Sequence, residues 1–326
     1  MIVPQYWAEC RVQYRKQGRQ ITVRRFGWSD TSEAEAQANA DARADEAIKR
    51  LIAGEKLPRR EPKVPYNGAQ GVPIREEIVA RHGETIITRN LYGARCLNSP
   101  NVFFADIDFK QPPVSLILWI AGLLSLAVCA TAIGWSLHSK PLGFALFFFG
   151  LLPLRSLLDK LHQAIQRSKG GEEPRAKRRI HNFLARHPEW NFRLYRTPAG
   201  LRVLATHRTF NPGDPDVAEC FAALRADPVY VLMCMNQQCF RARVSAKPWR
   251  IGIVEHMRPR PGVWPIAPGR MAIRKAWIER YETVAESFAA CTLLEEVGSG
   301  VSHPDVAAVQ QLHDVLCRAT SELPIA

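Results

Sequence analysis

The chain has 326 residues, 47% of them hydrophobic, and a formal charge of +13. That length holds about two globular domains beside a membrane segment. No GxSxG, P-loop, HExxH or dinucleotide fingerprint occurs, which sets aside the enzyme classes those motifs mark.

The start, MIVPQYWAECRVQYRK, has no apolar run of signal-peptide length, so an exported N-terminus is not expected and the eight cysteines are read as reduced thiols. Cys234 and Cys239 lack a second Cys or His pair at zinc-finger spacing, so no zinc knuckle is expected there.

Residues 7–27 read as two strands around the turn Gln17-Gly18-Arg19, with apolar alternation at Ile21, Val23 and Phe26. Asp30 followed by Glu33 fits the start of an alanine-rich helix that stops at Gly54. Ala34, Ala38, Ala42, Ala47 and Leu51 would form a small-residue face packed on the hairpin, making 1–54 one α+β unit. Arg11, Arg15, Lys16, Arg24 and Arg25 suit phosphates, but the acidic residues of the helix offset most of them and favour a plain packing unit.

Residues 55–74 hold four prolines and two glycines and read as a linker. A body of α+β type begins in 75–113, with a short helix over IREEIVARHG and strands TIITRN, YGARCLN and VFFADIDF. The last strand ends in Asp106-Ile107-Asp108. Residues i and i+2 of a strand share a face, so both carboxylates can meet one divalent cation, and magnesium with a nucleotide phosphate would compensate them. The plain alternative is that nearby arginines or solvent neutralise the pair.

Val114 to Leu137 is a run of 24 residues without charge. As a helix it reaches about 36 Å, enough to cross a bilayer. The second apolar block, Pro141–Leu154, has only 14 residues. It reaches about 21 Å, and either the amphipathic continuation Arg155–Ile165 completes it or it stays re-entrant. A transmembrane hairpin is therefore expected over 114–154.

The basic juxtamembrane segment 155–179 carries eight basic against three acidic residues. The positive-inside tendency then places both large flanks in the cytoplasm of an inner-membrane protein, with His138-Ser139-Lys140 outside. Arg155, Lys160, Arg167, Lys169, Arg175, Lys177, Arg178 and Arg179 either contact anionic lipid or act only as a topology signal.

Residues 180–326 complete the body. A helix over RRIHNFLARHPEW leads to a hairpin with the tight turn Thr197-Pro198-Ala199-Gly200, then to a helix over DVAECFAAL and a strand over VYVLMC. Arg196 and Arg202 flank that turn, joined by Arg193 or Arg208, and with Arg241, Arg243, Lys247 and Arg250 they could make one cationic face beside the aspartates. Arginine suits bidentate contact with phosphate or carboxylate. The same arginines could equally neutralise Asp106, Asp108 and Glu189 in a structural network. Too few aromatics are interleaved for base-specific reading.

Setting the hairpin aside, the order of DxD strand, helix, strand-turn-strand and helix resembles the palm of archaeo-eukaryotic primase-polymerases. Asp106 and Asp108 match the metal pair of that superfamily, Thr197 to Arg202 its second motif, and FRARVSAKPWR its basic phosphate-contacting stretch. Arg202 stands where the family has a histidine, with His207 five residues on, and VYVLMC offers no third acid, Asp227 preceding it. The resemblance implies an RRM-like or palm-like fold and nucleotide, phosphate or nucleic-acid binding more than nucleotidyl transfer. The chain as a whole is also similar to bacterial transmembrane proteins without assigned activity.

The proline-rich stretch RPRPGVWPIAPGR reads as a surface loop pinned by Trp249 and Trp264. Helices are expected over Arg274–Glu296 and Pro304–Leu323, with His313-Asp314 a surface pair. The expected fold is α+β, a mixed or antiparallel sheet with packed helices, interrupted by the transmembrane hairpin. Two functions compete. One is a degenerate, membrane-bound nucleotide- or phosphate-binding body with Mg2+. The other is a non-enzymatic scaffold docking on anionic lipid or a partner protein.

Overall fold

The structure, a computed structural model, describes residues 3–16, 19–64, 72–109, 114–168 and 171–326. Gln17 and Gly18 of the predicted turn, the linker stretch 65–71 and Lys169 lie outside the described residues.

Strand β1 (Tyr6–Lys16) pairs antiparallel with β2 (Arg19–Ser29), Tyr6 opposite Ser29 and Lys16 opposite Arg19. Helix α1 (Glu33–Ile52) follows, capped by Ser32, whose hydroxyl accepts from the Glu35 amide. The cap thus lies two residues beyond Asp30, and the buried stripe is Ala36, Ala40, Ala44, Ala47 and Ile48, not the stripe starting at Ala34. The reason is close approach at Gly27, where a Cβ would lie 2.2 Å from the Ala36 carbonyl oxygen and the Ala40 nitrogen. Only small residues at those helix positions let the backbones meet.

The expected short helix before Gly83 is instead strand β3 (Glu77–His82), which pairs with β4 (Thr85–Arg89). Gly83, at φ +57°, makes the tight left-handed turn between them, and hairpin pairing overrides local helix propensity. Strands β5 (Arg95–Ser99) and β6 (Phe104–Asp108) follow as expected.

Helices α2 (Leu116–Ser136) and α3 (Lys140–Ser168) are both long and apolar enough to cross a membrane, over Leu116–Ser136 and Lys140–His162. Helix α3 carries the second apolar block on into its amphipathic continuation as one helix. Only 6% and 11% of the two apolar windows is buried, so neither is the core helix of a soluble domain. Such exposed apolar helices are compatible with membrane association. They pack on each other through small residues: a Cβ on Gly143 would sit 2.9 Å from the Ala130 carbonyl oxygen.

Helix α4 (Glu172–Arg186) precedes the hairpin of β7 (Asn191–Thr197) and β8 (Gly200–Ala205), closed at Thr197 opposite Gly200. Helix α5 (Pro215–Leu224) is followed by α6 (Pro228–Gln237), which occupies the stretch expected to be a strand. Asp227 caps it by accepting from the Tyr230 amide, and Pro228 takes the first helical turn, so the capping signals prevail over the β-branched residues. Strand β9 (Phe240–Arg243) comes next.

The single helix predicted over Arg274–Glu296 divides into α7 (Met271–Ala285) and strand β10 (Thr292–Gly298). Here the open edge of β7 recruits the chain, an interaction with no local signature. Helix α8 (Pro304–Cys317) closes the fold.

The result is α+β with three antiparallel sheets, ordered β1-β2, β3-β4-β5-β9 and β10-β7-β8-β6, and helices packed on them. The chain divides into one unit of Met1–Asp108 with Ile180–Ala326 and a second of Phe109–Arg179. Within the first unit, Phe103 anchors the core, ringed by Trp190, Phe210, Phe221 and Phe240 at centroid distances of 5.0–6.1 Å.

Candidate functional site

Strand pairing decides which of the expected site residues meet. Asp106 lies opposite Arg202, and Arg202 opposite Tyr195, so these three share one face of the sheet. Arg196 lies opposite Leu201 and so falls on the other face. The turn that places Arg196 and Arg202 close in sequence therefore sends them apart.

Arg202 is fully buried and grips Asp106 with two hydrogen bonds, Nε to Oδ1 at 2.8 Å and Nη2 to Oδ2 at 3.1 Å. Burial alone would lower its pKa, but Asp106 raises it above the ordinary arginine value. Its Nη1 donates to the carbonyl of Arg243 at 2.9 Å, tying β8 to β9. Both oxygens of Asp106 thus hold a cation already. Asp108, two residues on and exposed, shares the face as the strand period requires. At the expected magnesium pair, then, Asp106 is already bonded to Arg202, with Asp108 beside it.

Arg241 is likewise committed. It lies buried against Glu76, with Nη2 at 2.8 and 2.9 Å from the carboxylate oxygens, and its Nη1 donates to Asn98 Oδ1 at 2.9 Å. Thr88 donates to the same carboxylate at 2.6 Å. This is a satisfied structural network, around Glu76 rather than around the acids Asp106, Asp108 and Glu189 named for the plain alternative.

Arg243, Lys247 and Arg250 behave differently. Burial, Arg243 and Arg250 hold the Lys247 ammonium below the usual lysine range, with Asp108 and Asp106 pulling the other way. Burial and Arg243 likewise lower Arg250, opposed by Asp108 and Tyr92. Three cations therefore crowd one another at the end of β6. Nη1 of Arg250 is buried with no hydrogen-bond partner among the described residues.

Two aromatics that sequence reasoning did not assign to the site complete this corner. Tyr92 and Trp249 meet edge to face at 5.2 Å, and the Lys247 ammonium lies 5.4 Å from the Trp249 ring centroid. Trp249 is 52% exposed, so it does not pin the following loop to the core. Burial pushes the Tyr92 hydroxyl up to about 12, keeping it a neutral donor. The signal for this corner was the spacing of Lys247, Trp249 and Arg250, but what brings Tyr92 to it is tertiary.

The remaining counterparts of the primase-polymerase pattern serve the scaffold. His207 is packed against Trp190 and Phe210 with Nδ1 accepting from the Asn191 amide, and Asp227 caps α6 while its own amide donates to the Asp106 carbonyl. An open groove of about 1090 Å3, lined by Arg258, Arg260, Arg270 and Trp277 among others, shares no lining residue with the cationic corner.

Behind Arg202 lies a cluster absent from the expected site. His313 is fully buried, not a surface residue, because α8 turns that face onto β8 and β7, where Tyr195 meets its ring at 4.8 Å. Cys291 and Cys317 flank it. The hydrogen bond from Cys317, then His313 and Arg202, holds the Cys291 thiol well below its ordinary value. Burial and that neighbour push Cys317 up.

Comparison with protein-family models, with curated proteins and with solved structures gives no match to this chain.

Proposed function

We propose that the first unit is a palm-like body, tethered to the inner membrane by the α2–α3 hairpin with both flanks cytoplasmic, that binds a phosphate-bearing ligand of the nucleotide class. Arg243, Lys247 and Arg250 hold the phosphates, and the exposed ring of Trp249 stacks the base. The observation that carries this reading is the buried Arg250 Nη1 without a hydrogen-bond partner among the described residues, with Arg243 and Lys247 as its charged neighbours. Like charges held together cost free energy in the empty site, and an anion removes that cost. Each charge-assisted contact contributes about 1.5–3 kcal/mol. An indole face beside a lysine suits a nucleobase next to its phosphates. The palm-like reading is supported by the order of β6, α4, the β7–β8 hairpin and α5. The cytoplasmic placement is supported by the excess of basic residues in 155–179.

Binding in this scheme is direct, through cations, and needs no magnesium. Lipid docking by 155–179 as the main function is less favoured, because Arg175 is paired with Glu172 at 2.7 Å and Lys177 with Glu173 at 3.8 Å. The test is calorimetric titration of the full chain in detergent with ATP and with pyrophosphate, in EDTA and again in magnesium. Both ligands should bind in EDTA. Lys247→Ala with Arg250→Ala should abolish both, and Trp249→Ala should weaken ATP alone. A folded chain that takes up neither ligand, or binds them unchanged in the double variant, refutes the reading.

A further inference from the structure

Cys291, His313 and Cys317 come from the stretch leading into β10 and from α8, and each is buried. Their sulfur and nitrogen donor atoms all lie within 4.8 Å of one another. His313 Nε2 is 3.4 Å from Cys317 Sγ and 4.0 Å from Cys291 Sγ. Tetrahedral zinc, with Zn–N about 2.0 Å and Zn–S about 2.3 Å, sets its N···S edges at about 3.5 Å and its S···S edge at about 3.8 Å. The two observed N···S separations bracket that edge, and the sulfurs, within 4.8 Å of each other, need to close by no more than about 1 Å to take the third edge.

The surroundings are those of a ligand set. His313 Nδ1 is 3.1 Å from Asp314 Oδ1, and Arg193 Nη2 holds the other oxygen of that carboxylate at 2.9 Å. A carboxylate that accepts a hydrogen bond from Nδ1–H fixes the tautomer with Nε2 unprotonated and facing the sulfurs, which is the usual outer support of a metal-bound histidine. The packing of His313 on Phe104 and Tyr195 holds the ring in that orientation.

The charges also close. Two thiolates cancel a divalent ion, Asp106 cancels Arg202, and Asp314 cancels Arg193, leaving no buried charge without its opposite. Arg202 Nη1 lies 3.3 Å from Nε2 and donates to the Arg243 carbonyl, so zinc at Nε2 requires only that its second hydrogen leave that nitrogen while the carbonyl bond stays. Two thiolates and one imidazole select a borderline-soft ion over magnesium or calcium.

We infer that Cys291, Cys317 and His313 bind one zinc ion inside the first unit, through three protein ligands with a fourth position left for a small exogenous ligand. Asp314 acts as a positioning residue. This site is independent of the cationic corner and of any nucleotide.

The test uses the full chain in detergent, thiols reduced and metal stripped, titrated with Co2+ and then with Zn2+. One equivalent of Co2+ should produce thiolate-to-cobalt charge-transfer absorption and the ligand-field bands of a tetrahedral ion, and Zn2+ should displace it. Cys291→Ser and Cys317→Ser should each remove that band. Asp314→Asn should weaken binding about 10- to 100-fold with the spectrum retained. Because a core cysteine variant can fail to fold, X-ray absorption of the zinc-loaded wild type supplies a second reading, with two sulfurs and one imidazole nitrogen expected. A folded, reduced wild type that gives no charge-transfer band overturns the proposal. So does a band that survives in both cysteine variants, or an absorption spectrum without sulfur ligands.

Discussion

Arg202 and Asp106 face each other across β8 and β6, and the guanidinium spans both carboxylate oxygens at 2.8 and 3.1 Å. Arg202 is only 2% exposed, whereas the Asp106 side chain is 31% exposed. The pair therefore consists of a buried cation neutralised by an acid that still sees solvent. Removing the acid leaves an uncompensated buried charge, while removing both partners does not. Asp106→Asn should lower the stability of the chain by about 3 kcal/mol. The double variant Asp106→Leu with Arg202→Met should lose clearly less. Denaturant unfolding followed by tryptophan fluorescence compares the two, and equal losses would show that Arg202 does not depend on its counter-charge.

The lowered pKa of Lys247 gives its ligand affinity a defined pH dependence. An anion favours the protonated ammonium, so binding takes up a proton wherever free Lys247 is partly neutral. Affinity for pyrophosphate should be full at neutral pH and fall as pH rises through the Lys247 pKa, which lies below the ordinary 10.5. Lys247→Arg keeps the charge through this range and should flatten the profile. Titrations in steps between neutral and alkaline pH decide it: parallel profiles for wild type and variant would remove Lys247 from the site.

His207 makes the first unit sensitive to acid. Its Nε2 is buried without a hydrogen-bond partner among the described residues, and its Nδ1 accepts from a backbone amide. Burial first, then Arg208, lowers its pKa from 6.5 to about 4, opposed by Glu189. The folded pKa is thus below the unfolded one, and the unfolded chain takes up the proton first as pH falls. The stabilising contribution is complete above pH 6.5 and is lost progressively toward about pH 4. Melting temperatures of wild type and His207→Gln should therefore diverge at neutral pH and converge in acid. A constant difference across that range would mean that His207 does not titrate as described.

What could be read from the chain and what could not divide along a physical line. Elements with local signatures were legible: the 24-residue uncharged run, the Thr197–Gly200 turn, the alternation in β2 and the same-face aspartates of β6. Elements decided by distant partners were not. Thr292–Gly298 continues a helical pattern and becomes a strand only because the edge of β7 is open to it. Glu77–His82 follows the same logic beside β4. The arginines show the limit for sites. Arg202, Arg241 and Arg243 are equivalent as letters, yet a neighbouring Asp106 or Glu76 makes two of them structural. Tyr92 and the Cys291 thiol are far from their site partners in sequence, while Cys317 stands one helical turn from His313, a spacing too common to mark a site by itself.

The α2–α3 contact offers the clearest test of the second unit. A Cβ on Gly143 would lie 2.9 Å from the Ala130 carbonyl oxygen, and one on Gly134 would lie 3.0 Å from the Gly143 Cα. Both obstacles are backbone, which cannot rotate away. At Gly122 the nearest atoms are the Leu158 methyl groups at 3.0 and 3.1 Å, which can move. Gly143→Val should therefore force the helices apart and destabilise the hairpin by about 1–3 kcal/mol, the cost of overpacking a close contact. Gly122→Ala should change little. Both substitutions add apolar surface, so membrane insertion itself should be unaffected. Thermal unfolding in detergent, followed by helical circular dichroism, should show a lower transition for Gly143→Val alone. Equal behaviour of the two variants would mean that α2 and α3 do not meet through Ala130, Gly134 and Gly143.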